Sequence, residues 1–431
     1  MMARLLLALP LLLWGSSCTP PQPAPEDPFV FDEKPIPTRA EWLERLVQHP
    51  DEEPDLIEAA TVIACDRLRI RRPYSSIPRV LAPHVQDART MLKPSATEKS
   101  KIAVLNSVVL PAIHDGLKEE FGWLRQTLQS PPKEVQSRPG NCFVSALLYM
   151  IAADMLSLRL EMFPLPRHVA LCRGSGDGRR NIECTDKGEH WSIDYYRRWS
   201  LKIHPDHVES VPEDKTAAEA YCSPMTRRQL TAMMLCQAVG TLDQKEEETF
   251  KAASRIAPDF YYPWKILSGF YSYKCRYSEA EAAATKAIEL APHLPGLYAA
   301  RSMCRMLLEK LNPALEDIDA ALALSPRNAK YHQCKGAILF RLERFRQASE
   351  CFSRAAEEAP HCAEFWRYRG LGHETLKEYR QAADALTRAI ELDPRNALYY
   401  DRRAKVWAML GDEVRWEADR RKVTELGGLR E

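Results

Sequence analysis

Residues 360–394 read PHCAEFWRYRGLGHETLKEYRQAADALTRAIELDP, and this stretch decides the fold of the C-terminal half of the chain. It begins and ends on a proline, and apolar or small residues recur between the prolines at helical spacing. The stretch has counterparts before and after it, because five prolines follow one another at intervals of 34 residues: Pro258, Pro292, Pro326, Pro360 and Pro394. A period of this length predicts a stack of similar units.

Small residues occupy fixed columns of this repeat. The eighth column holds Ser268, Ser302, Gly336, Gly370 and Ala404; a later column holds Ala280, Ala314, Ala348, Ala382 and then Trp416; a third holds Ala287, Ala321, Ala355, Ala389 and Val423. The pattern resembles the tetratricopeptide repeat, in which paired helices touch through small side chains. We therefore expect an all-α tetratricopeptide solenoid over residues 226–431, with a degenerate first unit and a capping last unit.

The concave face of such a solenoid carries the second, fifth, ninth, twelfth and thirteenth residues of each unit. In this chain they include aromatic, apolar and charged residues: Tyr262, Lys265, Tyr273, Met303, Met306, Leu307, Lys330, Phe340, Arg341, Arg367, Lys405, Glu364, Glu374 and Asp401. The mixture suits an extended protein or peptide partner. The asparagines of a carboxylate clamp are absent, as at Gly269. The alternative is a solvated groove that binds nothing.

A second informative stretch runs from Arg138 to Asp186. It contains Gly140-Asn141-Cys142, a segment apolar on nearly every side, Pro166-Arg167-His168, and Ile182-Glu183-Cys184. The apolar segment predicts a buried helix with Cys142 in its first turn, where the helix dipole favours a thiolate. A cysteine, a histidine and a carboxylate are the parts of a nucleophile–base–orienter triad.

This stretch resembles the transglutaminase-like cysteine superfamily, and more closely its SirB-like bacterial branch, in which the core precedes tetratricopeptide repeats. The resemblance implies an α+β papain-like core over residues 38–225, with a helical lead-in that Thr38 and Glu41 cap. It implies acyl transfer or amide hydrolysis through a Cys142 thioester, with His168 as base and Glu183 as orienter. The backbone of Cys142 and the side chain of Asn141 are candidate oxyanion donors.

Three alternatives to this chemistry remain open. Cys142 could be a buried structural cysteine, so that the chain is a catalytically idle scaffold whose repeats bind a partner. Asp186 or Asp194 could take the place of Glu183. His168, Cys172, Cys184 and His190 could hold a metal, although their spacing fits no common zinc site. We expect no metal and no cofactor.

The pairing of the two strands predicted around the turn at residues 174–178 can also be reasoned out. If His168 faces Glu183, then Ala170 faces Asn181 and Cys172 faces Arg179. Cys172 then shares the face of the histidine, whereas Cys184 points to the opposite face. These two cysteines should therefore not form a disulfide with each other.

The N-terminus has the features of an export signal. Residues 1–18 hold one arginine, a leucine-rich run too short to span a bilayer, and Gly15-Ser16-Ser17-Cys18, which resembles a lipobox. Cys18 would carry the lipid, and the proline-rich residues 19–37 would be a spacer. This predicts an exported protein that is held at the periplasmic face of a bacterial cell envelope through the lipid anchor only.

Composition agrees with a multidomain globular protein. The chain has 431 residues, 45% of them hydrophobic, and a formal net charge of +1. That balance gives no basic footprint for nucleic acid, so we expect no nucleic-acid partner. Twelve cysteines occur, mostly inside helical patterns, which does not indicate a disulfide framework.

Overall fold

The computed structural model describes residues 35–68, 76–116, 142–165, 168–173, 179–184, 192, 222–237 and 244–428. This part of the chain is mostly helical, with one small sheet between an N-terminal helical region and a C-terminal solenoid. In these residues no helix is long and apolar enough to cross a membrane.

The N-terminal region is built from amphipathic and fully apolar helices. These are α1 (Arg39–Gln48), α2 (Leu56–Leu68), α3 (Ser76–Met91), α4 (Glu98–Val104), a π-helical turn (Leu105–Val109), α5 (Leu110–Gly116) and α6 (Cys142–Met155). Thr38 caps α1 and exchanges hydrogen bonds with Glu41, as the sequence predicts. One apolar core joins these helices.

Helix α6 is the centre of that core. Eleven consecutive residues, from Phe143 to Ala153, are buried. The helix begins at Cys142, as predicted, and ends at Met155. Ser157 then takes a left-handed φ of 53°, which turns the chain toward the sheet.

The sheet has three antiparallel strands in the order β1 (Glu161–Leu165), β2 (His168–Arg173) and β3 (Arg180–Ile182). Two of them were expected from the sequence, and β1 was not. Alternation along the strands gives the sheet two apolar faces. Met162, Leu171 and Ile182 pack with α6, whereas Phe163, Ala170 and Cys172 pack against the repeats.

The predicted strand register is wrong by two residues. Cys172 pairs with Asn181 and Leu171 pairs with Ile182. A shift of an even number keeps every side chain on its predicted face, because side chains alternate with a period of two. The faces are therefore as expected: Cys172 and Cys184 belong to different cores. The ten cysteines from Cys142 to Cys362 form no disulfide in the described part of the chain.

The rest of the described chain is a tetratricopeptide solenoid of helix pairs. The helices are α7 (Arg227–Gln237), α8 (Gln244–Ile256), α9 (Tyr261–Tyr273), α10 (Tyr277–Leu290), α11 (Pro295–Leu307), α12 (Leu311–Leu324), α13 (Ala329–Arg341), α14 (Phe345–Glu358), α15 (Ala363–Thr375), α16 (Tyr379–Leu392), α17 (Ala397–Leu410) and α18 (Glu413–Glu425). From α7 to α15, the first helix of each pair contacts the first helix of the next pair.

The expected papain-like core is not evident in the described residues. They provide one helix and a three-stranded sheet in its place. Residues 117–141 and 185–191, on which the rest of that expectation depends, lie outside the described residues. The expected division at residue 225 is crossed by packing, since α7 and α8 share one apolar core with α2 and α6.

Candidate functional site

The first candidate site is the face formed by helices α9, α11, α13, α15 and α17, the first helices of the repeats. Three large apolar side chains on α9 and α11 are exposed although they lie within the solenoid: Tyr273 by 67%, Met303 by 41% and Leu307 by 43%. All three occupy columns that the sequence assigns to the concave face. An exposed apolar cluster on a solenoid is typical of an interaction surface.

Two predicted groove arginines are held by neighbouring groups. Arg341 donates to the carbonyl of Met306 at 2.7 Å and forms an ion pair with Glu309, which ties α13 to the end of α11. Arg367 pairs with Glu364 on its own helix, and its guanidinium lies 4.0 Å from the centre of the Tyr368 ring. These arginines therefore have a structural role in the groove, because their guanidinium groups already bind neighbouring groups.

Other predicted groove residues contact their neighbours on the same or the next helix. The ammonium of Lys265 is 6.0 Å from the Tyr262 ring centre, so a cation–π contact connects the two at the start of α9. Phe340 packs edge-to-face on Phe345, with ring centres 5.4 Å apart. Lys405 pairs with buried Asp401 at 2.7 Å.

Sequence reasoning missed one groove residue with an unmet hydrogen bond, Gln333. Gln333 is only 6% exposed, lies in the fifth column of its repeat, and its Oε1 has no hydrogen-bond partner. A buried acceptor without a partner is costly unless a ligand or water donates to it. Its column in the sequence, which holds lysine, alanine, arginine and aspartate elsewhere, was the available signal.

A buried ion-pair network fixes the groove helices from behind. Arg301 makes a two-pronged contact with Asp317, at 2.7 and 3.0 Å, and Arg305 reaches the same carboxylate at 2.9 Å. Arg305 also binds Glu281 on α10. The network joins α11 to the second helices of two successive repeats, so the concave face is held rigidly.

The second candidate site surrounds Cys142. Its thiol is half-buried at the first residue of α6. Glu183 is fully buried just after β3, and Cys184 beside it is also buried. Burial, then the charges of Glu183 and Cys142, raise the pKa of the Cys184 thiol well above its usual range. Cys142 and Glu183 are thus each within electrostatic reach of Cys184.

Other cysteines near the sheet are poor nucleophiles. Burial raises the pKa of Cys172 to about 11 and that of Cys222 to about 12, in spite of the nearby Arg179 guanidinium. Such thiols stay protonated near neutral pH and act as apolar packing groups.

The triad partners are only partly placed. The backbone of His168 pairs with Leu165 of β1, and its side chain lies outside the described residues. The predicted pairing of Cys172 with Arg179 is wrong, since Cys172 pairs with Asn181, so the register from which His168 was expected to face Glu183 is not the observed one. Asn141, Asp186, His190 and Cys18 also lie outside the described residues. No cluster of metal-ligating side chains occurs among those described.

Helix α6 carries two further polar groups that sequence reasoning did not single out. The hydroxyl of Tyr149 donates to Asn106 at 2.5 Å, and burial raises the pKa of Tyr149 well above its usual range. Ser145, one turn after Cys142, has a buried hydroxyl without a hydrogen-bond partner. In the sequence both are hidden within an otherwise apolar run.

Comparison with known proteins identifies one part of this architecture. Residues 363–396 match the family model of the tetratricopeptide repeat. No curated protein matches the chain. The chain therefore contains tetratricopeptide repeats, whose 34-residue period and paired helices extend from α9 to α18.

Solved repeat proteins resemble the solenoid at low identity. MamA from Desulfovibrio magneticus RS-1 is 17% identical over 38% of this chain and 92% of that chain, with a TM-score of 0.35. YrrB, described as a TPR protein with an unusual peptide-binding site, is 19% identical over 42% of this chain and 93% of that chain, with a TM-score of 0.36. A tetratricopeptide repeat protein from Parabacteroides merdae is 21% identical over 46% of this chain and 75% of that chain, with a TM-score of 0.38.

Proposed function

We propose that this protein is an interaction scaffold whose repeats bind an extended segment of a partner protein along the concave face. The observation that carries the proposal is the exposure of Tyr273, Met303 and Leu307 on adjacent groove helices. These side chains lose solvent contact only if a partner covers them, and their burial would supply the binding free energy.

A peptide-display selection on the full chain tests this proposal. Peptides are selected on the wild type and on a Met303→Asp/Leu307→Asp variant, which keeps the helices but places two charges in the groove. We expect sequences that enrich on the wild type to be lost on the variant. Equal enrichment on both proteins would contradict groove binding.

Cysteine chemistry at Cys142 is a second candidate function. It is supported by the start of α6 at a half-buried cysteine, by the effect of both Cys142 and buried Glu183 on Cys184, and by the resemblance to the transglutaminase-like superfamily. Dipole and backbone amides at the first turn would lower the pKa of the thiol. In this proposal Cys142 attacks a carbonyl, and His168 protonates the leaving amine.

The pH dependence of Cys142 alkylation, read by peptide mass spectrometry, separates the two candidates. Fast labelling near pH 6 that slows in a His168→Ala variant would support an ion-paired nucleophile. If labelling begins only near the ordinary thiol pKa of ~8.5, and His168→Ala has no effect, the cysteine chemistry is contradicted and only the scaffold proposal remains.

We also propose that the protein is exported and lipid-anchored through Cys18, as the residues before that cysteine suggest. Cells that express the full chain would be fed a clickable fatty-acid analogue. We expect label and membrane association for the wild type, and neither for Cys18→Ser. An unlabelled wild-type chain would remove the anchor from the proposal.

A further inference from the structure

The exposed apolar cluster of the groove is bordered by cations that lack an acidic partner. Lys274 lies 5.7 Å from the centre of the Tyr273 ring, and Lys330 stands in the second column of the next repeat but one. Among the described residues neither lysine forms an ion pair. Both ammonium groups are therefore available to a ligand.

Two carboxylates near this cluster already have basic partners. Glu309 pairs with Arg341, and Glu281 is bound by both Arg305 and Lys310, at 2.9 and 2.7 Å. Further along the groove, Glu374 on α15 reverses the sign of the charge. Between α9 and α13 the surface thus has an exposed apolar cluster with Lys274 and Lys330 at its border.

Gln333 adds a hydrogen-bonding point to the same surface. Lys330, Gln333 and Arg341 lie at positions i, i+3 and i+11, so they share one stripe of α13. The neighbouring groove positions on α11 and α13 are small, at Ala299 and Ala337. A peptide N–H that reached the unpartnered Oε1 would supply the donor that this buried acceptor lacks.

We propose, on the basis of the groove function above, that the stretch from α9 to α13 selects an extended segment with large apolar side chains between carboxylates. The apolar side chains cover Tyr273, Met303 and Leu307. The carboxylates pair with Lys274 and Lys330, and a backbone N–H of the segment donates to Gln333. Charge complementarity sets the choice of partner, and apolar burial supplies most of the affinity.

A synthetic peptide of this chemistry tests the proposal. Residues 26–33 of this chain, Glu-Asp-Pro-Phe-Val-Phe-Asp-Glu, have the required pattern, and a labelled copy serves as the probe. Its lysine counterpart replaces the four acidic residues. Fluorescence anisotropy with the full chain is expected to show at least about tenfold tighter binding of the acidic peptide, with the difference shrinking as salt is raised.

Matched variants locate the binding surface. Leu307→Asp should weaken binding by about tenfold or more, since it removes apolar contact and adds repulsion. Val414→Asp, at an 80% exposed apolar residue of α18 outside the groove, should leave it unchanged. Lys330→Glu should weaken binding and flatten its salt dependence, whereas Arg346→Glu on α14 should do neither. Gln333→Leu should weaken binding by about threefold, with the same salt dependence.

The chain's own residues 26–33 could compete with the probe, so a Phe29→Ala/Phe31→Ala variant is measured beside the wild type. Tighter probe binding by that variant would support the stated chemistry and name an occupant. Equal affinity for the acidic and lysine peptides, or equal effects of Leu307→Asp and Val414→Asp, would overturn the inference. The display selection would still decide groove binding on its own, because it presumes no ligand charge.

Discussion

At the scale of single residues, the repeat depends on close contacts behind the groove. The eighth column is small because the second helix of the same unit crosses there. A Cβ on Gly336 would stand 2.5 Å from the ring of Phe352, and one on Gly370 would stand 2.9 Å from Leu386. The columns of small residues in the sequence have this steric origin.

Gly336→Ala tests this steric explanation of the small eighth column. The added methyl group must displace the buried Phe352 ring, so we expect a loss of about 1–3 kcal/mol in the free energy of unfolding by urea. Gly269→Ala is the matched control, because nothing lies within 4 Å of its Cβ position. It should gain about 0.5–1 kcal/mol from helix propensity. Changes of the same sign would contradict the steric argument.

The buried carboxylate of Asp317 gives a second prediction at this scale. Asp317→Ala leaves the guanidinium groups of Arg301 and Arg305 largely buried without their shared partner. We expect a loss of about 3 kcal/mol, because an uncompensated buried charge is costly. Glu350→Ala, at an exposed residue on α14, should change stability by less than about 0.5 kcal/mol. Urea unfolding measures the free energy of unfolding of both variants. Similar losses would show that the ion-pair network does not stabilise the fold.

At the scale of elements, the turns inside the repeats share one geometry. Five residues at intervals of 34 take a left-handed φ after the first helix of each pair: Cys275 at 58°, Glu309 at 61°, Glu343 at 60°, Lys377 at 62° and Gly411 at 72°. In each, the next amide donates back to the carbonyl five residues earlier, as in a Schellman motif. Only the last repeat has the glycine that suits this conformation.

Lys377→Gly should therefore stabilise the solenoid. Relief of the left-handed strain exceeds the entropy that glycine adds to the unfolded chain, so we expect a gain of about 0.5–1 kcal/mol. Gly411→Ala is the reciprocal change and should lose about 1 kcal/mol. Thermal and urea unfolding would both report these shifts. A destabilised Lys377→Gly variant would show that the turn is held by its side chain instead.

The fourth column of the repeat closes the turn between units. His332, Trp366 and Tyr400 each bond to the carbonyl of the proline six residues earlier, at 2.8, 2.9 and 3.2 Å. Trp264, in the same column, has a buried indole N–H without a partner and packs beside the sheet. The first complete repeat thus departs from the last three where the N-terminal region meets it.

At the scale of the whole molecule, the sheet joins the N-terminal helices to the repeats. One face of the sheet packs with α6, and Phe163 on the other face packs with Ala287 and Leu297 of the solenoid. The Arg179 guanidinium lies over the Phe163 ring, 4.3 Å from its centre, in a cation–π contact. The two regions therefore share buried surface and should unfold together.

Phe163→Ala tests this coupling. Loss of a fully buried phenylalanine should cost about 3–5 kcal/mol and split one calorimetric transition into two, with the N-terminal region melting first. Phe365→Ala, inside the repeats, should lower stability without splitting the transition. A single transition in both variants would mean that the sheet does not carry the coupling.

Much of the fold follows from sequence periodicity. The 34-residue period and its small columns predict the helix pairs, because a repeat must bury the same face against each neighbour. The all-round apolar run predicts a buried helix from Cys142, and the strand alternation predicts the separate faces of Cys172 and Cys184. These are local properties of the chain, and local patterns encode them.

What only the tertiary structure decided depends on contacts between distant segments. A slip of two residues leaves the alternation of side chains unchanged, so the sequence predicted the faces correctly and the pairing of Cys172 with Arg179 wrongly. The extra strand β1, the unpartnered Gln333 and the Phe163 contact also depend on neighbours far along the chain. A residue's period reveals which face it lies on, but the partner across that face is fixed only when the segments pack.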